Sequence, residues 1–357
     1  MIFTLNLRTT FPRKALTTIA MFASLSIPPS VSRAQAGQTG SWQIDDQDTD
    51  GRVQLHFEDY DRDRGRSSTS YPVPLASFEG LTLSKLRGSP SGAHFSLRRD
   101  AGTFTFDGRV GSGHGAGQFT FAADQRFSQQ LSSRGYGSPS AEQAFQLAMS
   151  DIGYSLIDEL KAQGYARPSV NDLVNMGMHG ARYDFVHGLG QLGYRLRSMT
   201  ELVDLRDHGV TPAFISGLST LGYTKLPADK LLELRDHGVT PSYVSAMHDA
   251  GYRNLRADDL VELRDHGISR DYVVAMAGMG YANLSTDDLL TARDHGVTAS
   301  FADGFRKLGY TSISLSQLVR LRDHGVTPEF AIRARQRGGP APSVQELIRL
   351  RDSGDQD

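Results

Sequence analysis

The feature that most constrains this chain is an exact internal period of 29 residues. Histidines recur at that interval, at positions 179, 208, 237, 266, 295 and 324. Gly-Tyr pairs recur at the same interval, beginning at positions 135, 164, 193, 222, 251, 280 and 309. A fixed period of this length is typical of stacked repeat proteins, in which each repeat buries its apolar face against its neighbours.

Within one repeat the pattern predicts two short helices. Ser198 followed by Glu201 has the spacing of a capping box at the start of the first helix, and Gly209 is suited to end it. Thr211 and Pro212 are typical of the start of the second helix. Helices of about ten residues are not stable alone, so we expect stacking between repeats to hold them in place.

The region before the repeats alternates between apolar and polar residues. From Trp42 to about Ala123, phenylalanines recur two residues apart between glycine-rich turns, which predicts antiparallel strands. The predicted fold class is therefore α+β. A small antiparallel β domain over residues 37–123 precedes an all-α solenoid of 29-residue helix-turn-helix repeats over residues 124–357, with about seven to eight repeats and degenerate terminal copies.

The first residues have the pattern of an export signal. Three basic residues precede an apolar run from Ala15 to Ile27, and Ala34-Gln35-Ala36 has the small-residue form of a cleavage site. This predicts a signal peptide over residues 1–36 and a periplasmic or secreted mature protein. The chain contains no cysteine, which excludes disulfide bonds and thiolate metal sites.

The net charge of the chain narrows the class of binding partner that is expected. Residues 1–36 carry four basic and no acidic side chains, so without them the formal charge changes from -2 to -6. Nucleic-acid binding needs a basic face, so a nucleic-acid partner is not expected. The mature sequence has no second long apolar segment, so no membrane span is expected.

The repeated triplet Arg-Asp-His is the candidate functional feature. It lies in the segment LRDHGV at Leu205–Val210, which returns with small changes at positions 234, 263, 292 and 321. In a structural interpretation, the histidine donates to carbonyls at the helix end, and Arg206 pairs with Asp207 or Asp236. In a functional interpretation, the triplets line a groove for an extended partner such as an acidic peptide. The candidate partner-binding residues are Arg206, Arg235, Arg264, Arg293, Arg322, His208, His237, His266, His295 and His324.

Metal binding and catalysis by the triplets are not expected. Stacked helices lie about 8 to 10 Å apart, whereas two imidazoles on one zinc ion need nitrogens about 2.0 Å from the metal. No serine or threonine recurs beside the His-Asp pairs as a nucleophile, and the chain has no HExxH or GxSxG motif. The sequence therefore predicts a non-enzymatic protein without a cofactor. An envelope enzyme whose active site is assembled across repeats stays as an alternative.

One acidic segment of the β domain allows a second function. Asp46, Asp48 and Asp50 have the spacing of a calcium-binding loop, but Phe57 occupies the position of the bidentate glutamate. Two interpretations stay open. The segment is a solvated acidic turn, or it forms a calcium-assisted ligand site together with the glycine-rich segment 111–117, with the repeats as a spacer.

The segment GTFTFDGRVGSGHGAGQFTF and the LRDHGV-TP-aromatic-GY repeats together resemble a family of uncharacterised exported bacterial repeat proteins. They are also similar to extramembrane extensions of some β-lactam-sensor-type antirepressor membrane metallopeptidases. This chain lacks the HExxH motif and the membrane helices of those peptidases, so proteolytic activity is not expected. The resemblance implies a role in envelope sensing or interaction. We therefore expect an exported scaffold that binds a protein or peptide.

Overall fold

The computed structural model describes residues 38–47, 51–61, 65–336 and 341–354, with side chains undescribed at 59–61 and 65–67. The strands are β1 (Thr39–Asp46), β2 (Arg52–Asp61), β3 (Gly65–Pro74), β4 (Phe78–Glu79), β5 (Ser91–Arg99), β6 (Gly102–Gly111) and β7 (His114–Ala123). The helices are α1 (Leu83–Arg87), α2 (Gln125–Ser133), α3 (Ala141–Met149), α4 (Tyr154–Ala162), α5 (Val170–Met178), α6 (Tyr183–Gln191), α7 (Met199–Asp207), α8 (Pro212–Thr220), α9 (Ala228–Asp236), α10 (Pro241–Asp249), α11 (Ala257–Asp265), α12 (Arg270–Gly278), α13 (Thr286–Asp294), α14 (Ala299–Lys307), α15 (Leu315–Asp323), α16 (Pro328–Gln336) and α17 (Val344–Asp352).

The strands form one curled antiparallel sheet in the order β3-β2-β1-β7-β6-β5-β4. Every neighbouring pair is antiparallel, and β1 lies between β2 and the last strand, β7. The predicted alternation is confirmed, because Val53, Leu55 and Phe57 are all buried on one face. The sheet therefore buries a continuous apolar face and leaves the opposite face to solvent.

Aromatic rings fill the inner face of the sheet. Trp42 is fully buried, meets the ring of Phe95 edge to face at 5.1 Å, and donates through Nε1 to the carbonyl of Gln118 at 3.0 Å. Gly115 leaves the space for it, since a Cβ there would lie 3.0 Å from the indole and 2.6 Å from Val110. The glycine-rich segment 111–117 is thus a tight hairpin and the start of a strand that packs closely against the indole.

Helices cover the sheet at both ends of the β6–β7 hairpin. Leu86 of α1 is fully buried, and its carbonyl accepts from the backbone N–H of Gly113 at the hairpin tip, 3.0 Å away. At the other end Phe145 of α3 packs its ring against Phe104 and Phe121, at 5.7 and 5.4 Å between centroids. The apolar core runs from the sheet into the helical array as far as Leu290.

The helical array follows the predicted period. The helices α7, α9, α11, α13, α15 and α17 begin at residues 199, 228, 257, 286, 315 and 344, which are 29 apart. Like helices pack on like helices, α9 on α11 and α11 on α13 in one layer, α10 on α12 and α12 on α14 in the other. The predicted α+β class, with a β domain before a helical array, is confirmed.

Local capping explains where the helices end and begin. Gly209 has φ of +73°, and the N–H of Val210 donates to the carbonyl of Leu205 at 2.8 Å, which is a Schellman cap. The Thr211 hydroxyl accepts from the N–H of Phe214 at 3.1 Å and starts α8. The backbone itself therefore satisfies the carbonyls at the end of α7.

The predicted capping boxes form in part of the array. Both halves of the box are present at Ser169, Ser285 and Ser314. At Ser198 only the serine half forms, because the carboxylate of Glu201 accepts from the N–H of Arg197 instead, at 2.8 Å. The helix start is kept in either case, since the serine side chain satisfies one free N–H.

Two polar contacts join the sheet to the connection between α3 and α4. Arg99 at the end of β5 forms an ion pair with Asp151 at 2.9 Å, and the Asp100 carboxylate accepts from the N–H of Tyr154 at 2.8 Å. Asp151 has φ of +57°, in the place that Gly180 and its later equivalents occupy. The first copy of the repeat thus has an aspartate in place of the glycine, and the side chain of this aspartate contacts the sheet.

Candidate functional site

Each histidine of the 29-residue series is bound to an aspartate at the end of the equivalent helix in the next repeat. The Nδ1 atom of each imidazole lies 2.5 to 2.8 Å from a carboxylate oxygen 28 residues further along the chain. We call these six contacts the His–Asp row: His179–Asp207, His208–Asp236, His237–Asp265, His266–Asp294, His295–Asp323 and His324–Asp352. The row connects every consecutive pair of repeats from α5 to α17.

The arginine of each triplet contacts the preceding repeat. Its guanidinium carbon lies 5.1 to 5.7 Å from the centre of an aromatic ring on the second helix of that repeat. The pairs are Arg206–Phe185, Arg235–Phe214, Arg264–Tyr243, Arg293–Tyr272, Arg322–Phe301 and Arg351–Phe330. This is cation–π geometry, so the arginines hold neighbouring repeats together.

These contacts correct the structural interpretation of the triplet. Among the described residues Arg206 forms no ion pair with Asp207 or Asp236, because those carboxylates bind His179 and His208. The histidines also leave the carbonyls of their own helix to the backbone. At one helix end the cation comes from the next repeat, since Arg293 donates to the carbonyl of His266 at 3.2 Å. A guanidinium in that position complements the negative end of the helix dipole.

The N-terminal end of the row shows that its partners occur together. Ser150 stands where a histidine would precede the row, and Met178 stands where that histidine's aspartate would be. Met178 is 63% exposed and packs into no core. The histidine and its aspartate are therefore both absent at this end, as pairing between repeats requires.

The row is half exposed. Its histidine side chains are 38 to 47% exposed and its aspartates 42 to 50%. Because the carboxylate accepts at Nδ1, that nitrogen carries the proton, and Nε2 is an acceptor in the neutral ring and a donor in the cation. The row therefore presents a regular series of imidazole nitrogens and carboxylate oxygens.

Hydrogen bonds to aspartate make three histidines of the row sensitive to pH. They raise the pKa of His208, His237 and His266 above the ordinary value of histidine. A raised pKa in the folded state gives a stabilisation that is complete below the ordinary value of about 6.5 and is lost as pH rises through the higher folded value. We expect the urea midpoint of unfolding to fall as the pH rises from about 6.5 through the higher folded-state pKa values of these three histidines.

The matched variant replaces the three histidines by asparagine, as His208→Asn, His237→Asn and His266→Asn. Asparagine does not titrate, so the urea midpoint of the variant should change less over the same pH range. An equal pH dependence in both proteins would show that the row does not cause it.

The calcium hypothesis falls mostly outside the described residues. Asp48 and Asp50 are not described, and Asp46 binds the guanidinium of Arg87. Elsewhere in the β domain, Asp45 lies between two imidazoles, 2.6 Å from Nδ1 of His114 and 3.3 Å from Nε2 of His56. Over the described ranges no group of three or more His, Asp or Glu side chains is arranged to hold a metal ion.

The tyrosines of the Gly-Tyr pairs have a role that was not predicted from the sequence. Four tyrosine hydroxyls donate to a backbone carbonyl 32 residues later, at 2.7 to 2.8 Å. The pairs are Tyr223–Leu255, Tyr252–Leu284, Tyr281–Ile313 and Tyr310–Pro342. The exact recurrence of tyrosine after glycine was the available signal, because packing alone does not require a hydroxyl.

No protein-family model matches the chain, and no curated protein is significantly similar to it. Within the part of the chain that the structure describes, no helix is long and apolar enough to cross a membrane.

Proposed function

We propose that this protein is a non-enzymatic, exported interaction scaffold, which binds a protein or peptide along its helical array in envelope sensing or signalling. The observation that carries the proposal is the His–Asp row, six half-exposed pairs with the same partner atoms in every repeat. Stacked repeats offer long, regular surfaces of this kind to extended partners. The signal-peptide pattern of residues 1–36 supports the envelope as its location.

The row is fixed before any partner arrives. Each imidazole is held by a carboxylate of the next repeat, and each neighbouring arginine is held over an aromatic ring, as Arg264 is over Tyr243. Side chains that are already ordered lose little conformational entropy on binding. This supports binding by the row as it stands, without rearrangement of the array.

The chemistry of the row favours a partner rich in hydrogen-bond donors. The row offers carboxylate oxygens, which only accept hydrogen bonds, while the guanidinium groups are occupied within the array. The formal charge of -6 without residues 1–36 also attracts basic groups. These features support a partner with a basic segment, or an extended peptide that binds through its N–H groups. They favour such a partner over the acidic peptide that the arginines alone indicate.

The proposal is tested with a variant that changes the row and keeps the repeats joined. Three pairs are converted to amides: His208→Asn with Asp236→Asn, His237→Asn with Asp265→Asn, and His266→Asn with Asp294→Asn. Paired amides can still hydrogen-bond across the repeats, but they remove the imidazoles and the charges. The immobilised chain from Gly37 onward is used to capture partners from an envelope extract, and the dissociation constant is measured for each partner identified.

A matched control changes exposed side chains outside the row. Arg197→Gln with Asp271→Asn alters two residues whose side chains are more than nine-tenths exposed, at 92% and 93%. The proposal expects one partner to bind the native protein and the control equally and the row variant at least about tenfold more weakly. Equal affinity for all three proteins would contradict binding by the row.

A further inference from the structure

A cavity lies at the N-terminal end of the array, away from the His–Asp row. It has a volume of about 580 Å³ and is lined by three basic side chains, two tyrosines and one aspartate. They are Arg134, Lys161, Arg167, Tyr136, Tyr165 and Asp158. Its volume is within the range of about 300 to 1,000 Å³ typical of small-molecule sites.

The cavity opens where the tyrosine contacts between repeats are interrupted. In later repeats the tyrosine hydroxyl donates to a loop carbonyl of the next repeat, as Tyr310 does to Pro342 at 2.7 Å. The equivalent carbonyl for Tyr136 is that of Pro168, which also lines the cavity. Within the described part of the chain the Tyr136 hydroxyl makes no hydrogen bond. The hydroxyl that closes the gap at Tyr223, Tyr252, Tyr281 and Tyr310 is therefore left for a ligand at Tyr136.

The next cleft of the array shows how the same space is filled elsewhere. One period later, Gln163, Gly190 and Leu196 stand in the places of Arg134, Lys161 and Arg167. Gln163 donates to the carbonyl of Val186 at 3.0 Å, and its amide lies so close to Gly190 that a Cβ there would be 2.3 Å away. Leu196 is buried. The repeat architecture therefore does not require the three cations of the first cleft.

The charge in the cavity is only partly compensated. Arg134 forms an ion pair with Asp158 at 3.2 Å. Lys161 and Arg167 are exposed and have no carboxylate partner among the described residues, and the guanidinium of Arg167 lies 5.7 Å from the ring centre of Tyr136. Two cations thus face a concave space beside two aromatic rings. Oxyanions are the ligands that arginine and lysine bind with charge-assisted hydrogen bonds.

We propose that this cavity binds a small anion that carries two or more carboxylate or phosphate groups. Lys161 and Arg167 bind the oxyanion groups, the hydroxyl of Tyr136 donates to one of them, and the ring of Tyr165 forms an apolar wall. The Tyr165 hydroxyl itself is occupied, since it accepts from the N–H of Leu196 at 3.0 Å. Binding here does not involve the His–Asp row. Failure of this proposal would therefore leave the proposed partner binding by the row unaffected, and the reverse also holds.

The test measures binding of citrate and of pyrophosphate to the chain from Gly37 onward, in separate titrations at constant ionic strength. Citrate represents carboxylate ligands and pyrophosphate represents phosphate ligands. The native protein is expected to bind at least one of them by calorimetry and to melt at a higher temperature in its presence. The variant Lys161→Gln with Arg167→Gln is expected to bind at least tenfold more weakly.

Two further variants separate the cavity from general charge and from folding. Lys225→Gln with Arg253→Gln removes two exposed cations elsewhere in the array and should bind like the native protein. Lys161→Arg with Arg167→Lys keeps both charges and should retain binding. Equal binding by the glutamine variant, or no binding of either anion to the native protein at about 10 mM, would overturn the proposal.

Discussion

Replacing Phe145 by alanine is expected to lower the free energy of unfolding by about 3 to 5 kcal/mol. Phe145 is 4% exposed, and its ring meets the rings of Phe57, Phe104, Phe119 and Phe121 at 5.4 to 6.5 Å. It lies on α3, yet it fills the core of the sheet. Its removal leaves a cavity at the junction between the β domain and the array.

The measurement is urea unfolding followed with two probes. Trp42 is the single tryptophan of the chain and is fully buried in the sheet, so its fluorescence reports on the β domain. Far-ultraviolet circular dichroism reports mainly on the helices. We expect both transitions of Phe145→Ala to move to lower urea together, because one apolar core runs through both parts. Met149→Ala, at a half-buried position of the same helix, should cost less.

A fluorescence transition that moves while the circular dichroism transition stays in place would contradict this expectation. It would mean that the β domain and the array unfold independently despite their shared core.

Local sequence signals predicted the elements of the fold well. The end of α7 follows from Gly209, since a left-handed residue is needed there and glycine adopts that conformation without strain. The strands follow from alternation, because successive side chains of a strand point to opposite faces and one face of this sheet is buried. Both signals act over a few residues, so one sequence is enough to read them.

The contacts between repeats were harder to predict. The expected pairing of Arg206 with Asp207 or Asp236 was wrong. The two aspartates bind histidines, and Arg206 lies over an aromatic ring. Which of these side chains meet depends on how each helix is rotated relative to the next repeat. The sequence contained a usable signal. Met178 replaces the aspartate where Ser150 replaces the histidine, which indicates pairing across the repeat boundary.

The cavity was not predictable from any motif. Its residues come from the ends of two helices and from a following loop. Its volume depends on which side chains of the neighbouring elements leave this space empty. Arg134 and Lys161 could have been noticed as departures from the equivalent Gln163 and Gly190. Without the packing of α2 and α4, that departure does not distinguish a site from variation at the surface.

Replacing Tyr243 by alanine is expected to destabilise the array by about 3 to 5 kcal/mol, as for other buried aromatic residues. Tyr243 is 8% exposed, its hydroxyl donates to the carbonyl of Ile268 at 3.0 Å, and Arg264 lies over its ring at 5.1 Å. Burial raises the pKa of its hydroxyl to about 12, so the group stays neutral at physiological pH. Tyr243→Phe should lose only about 1 to 3 kcal/mol, because it leaves one buried carbonyl unsatisfied.

The most direct test of the account is a double-mutant cycle between Tyr243→Leu and Arg264→Met, measured by urea unfolding. The control cycle pairs Tyr243→Leu with Arg235→Met. Arg235 belongs to the same repeat as Tyr243, but it lies over Phe214. If the triplets join neighbouring repeats, Tyr243 and Arg264 should be coupled by about 0.5 to 2 kcal/mol, and the control pair should be additive within about 0.5 kcal/mol. Coupling to Arg235 as strong as to Arg264 would contradict the assignment of the triplet to contacts between repeats.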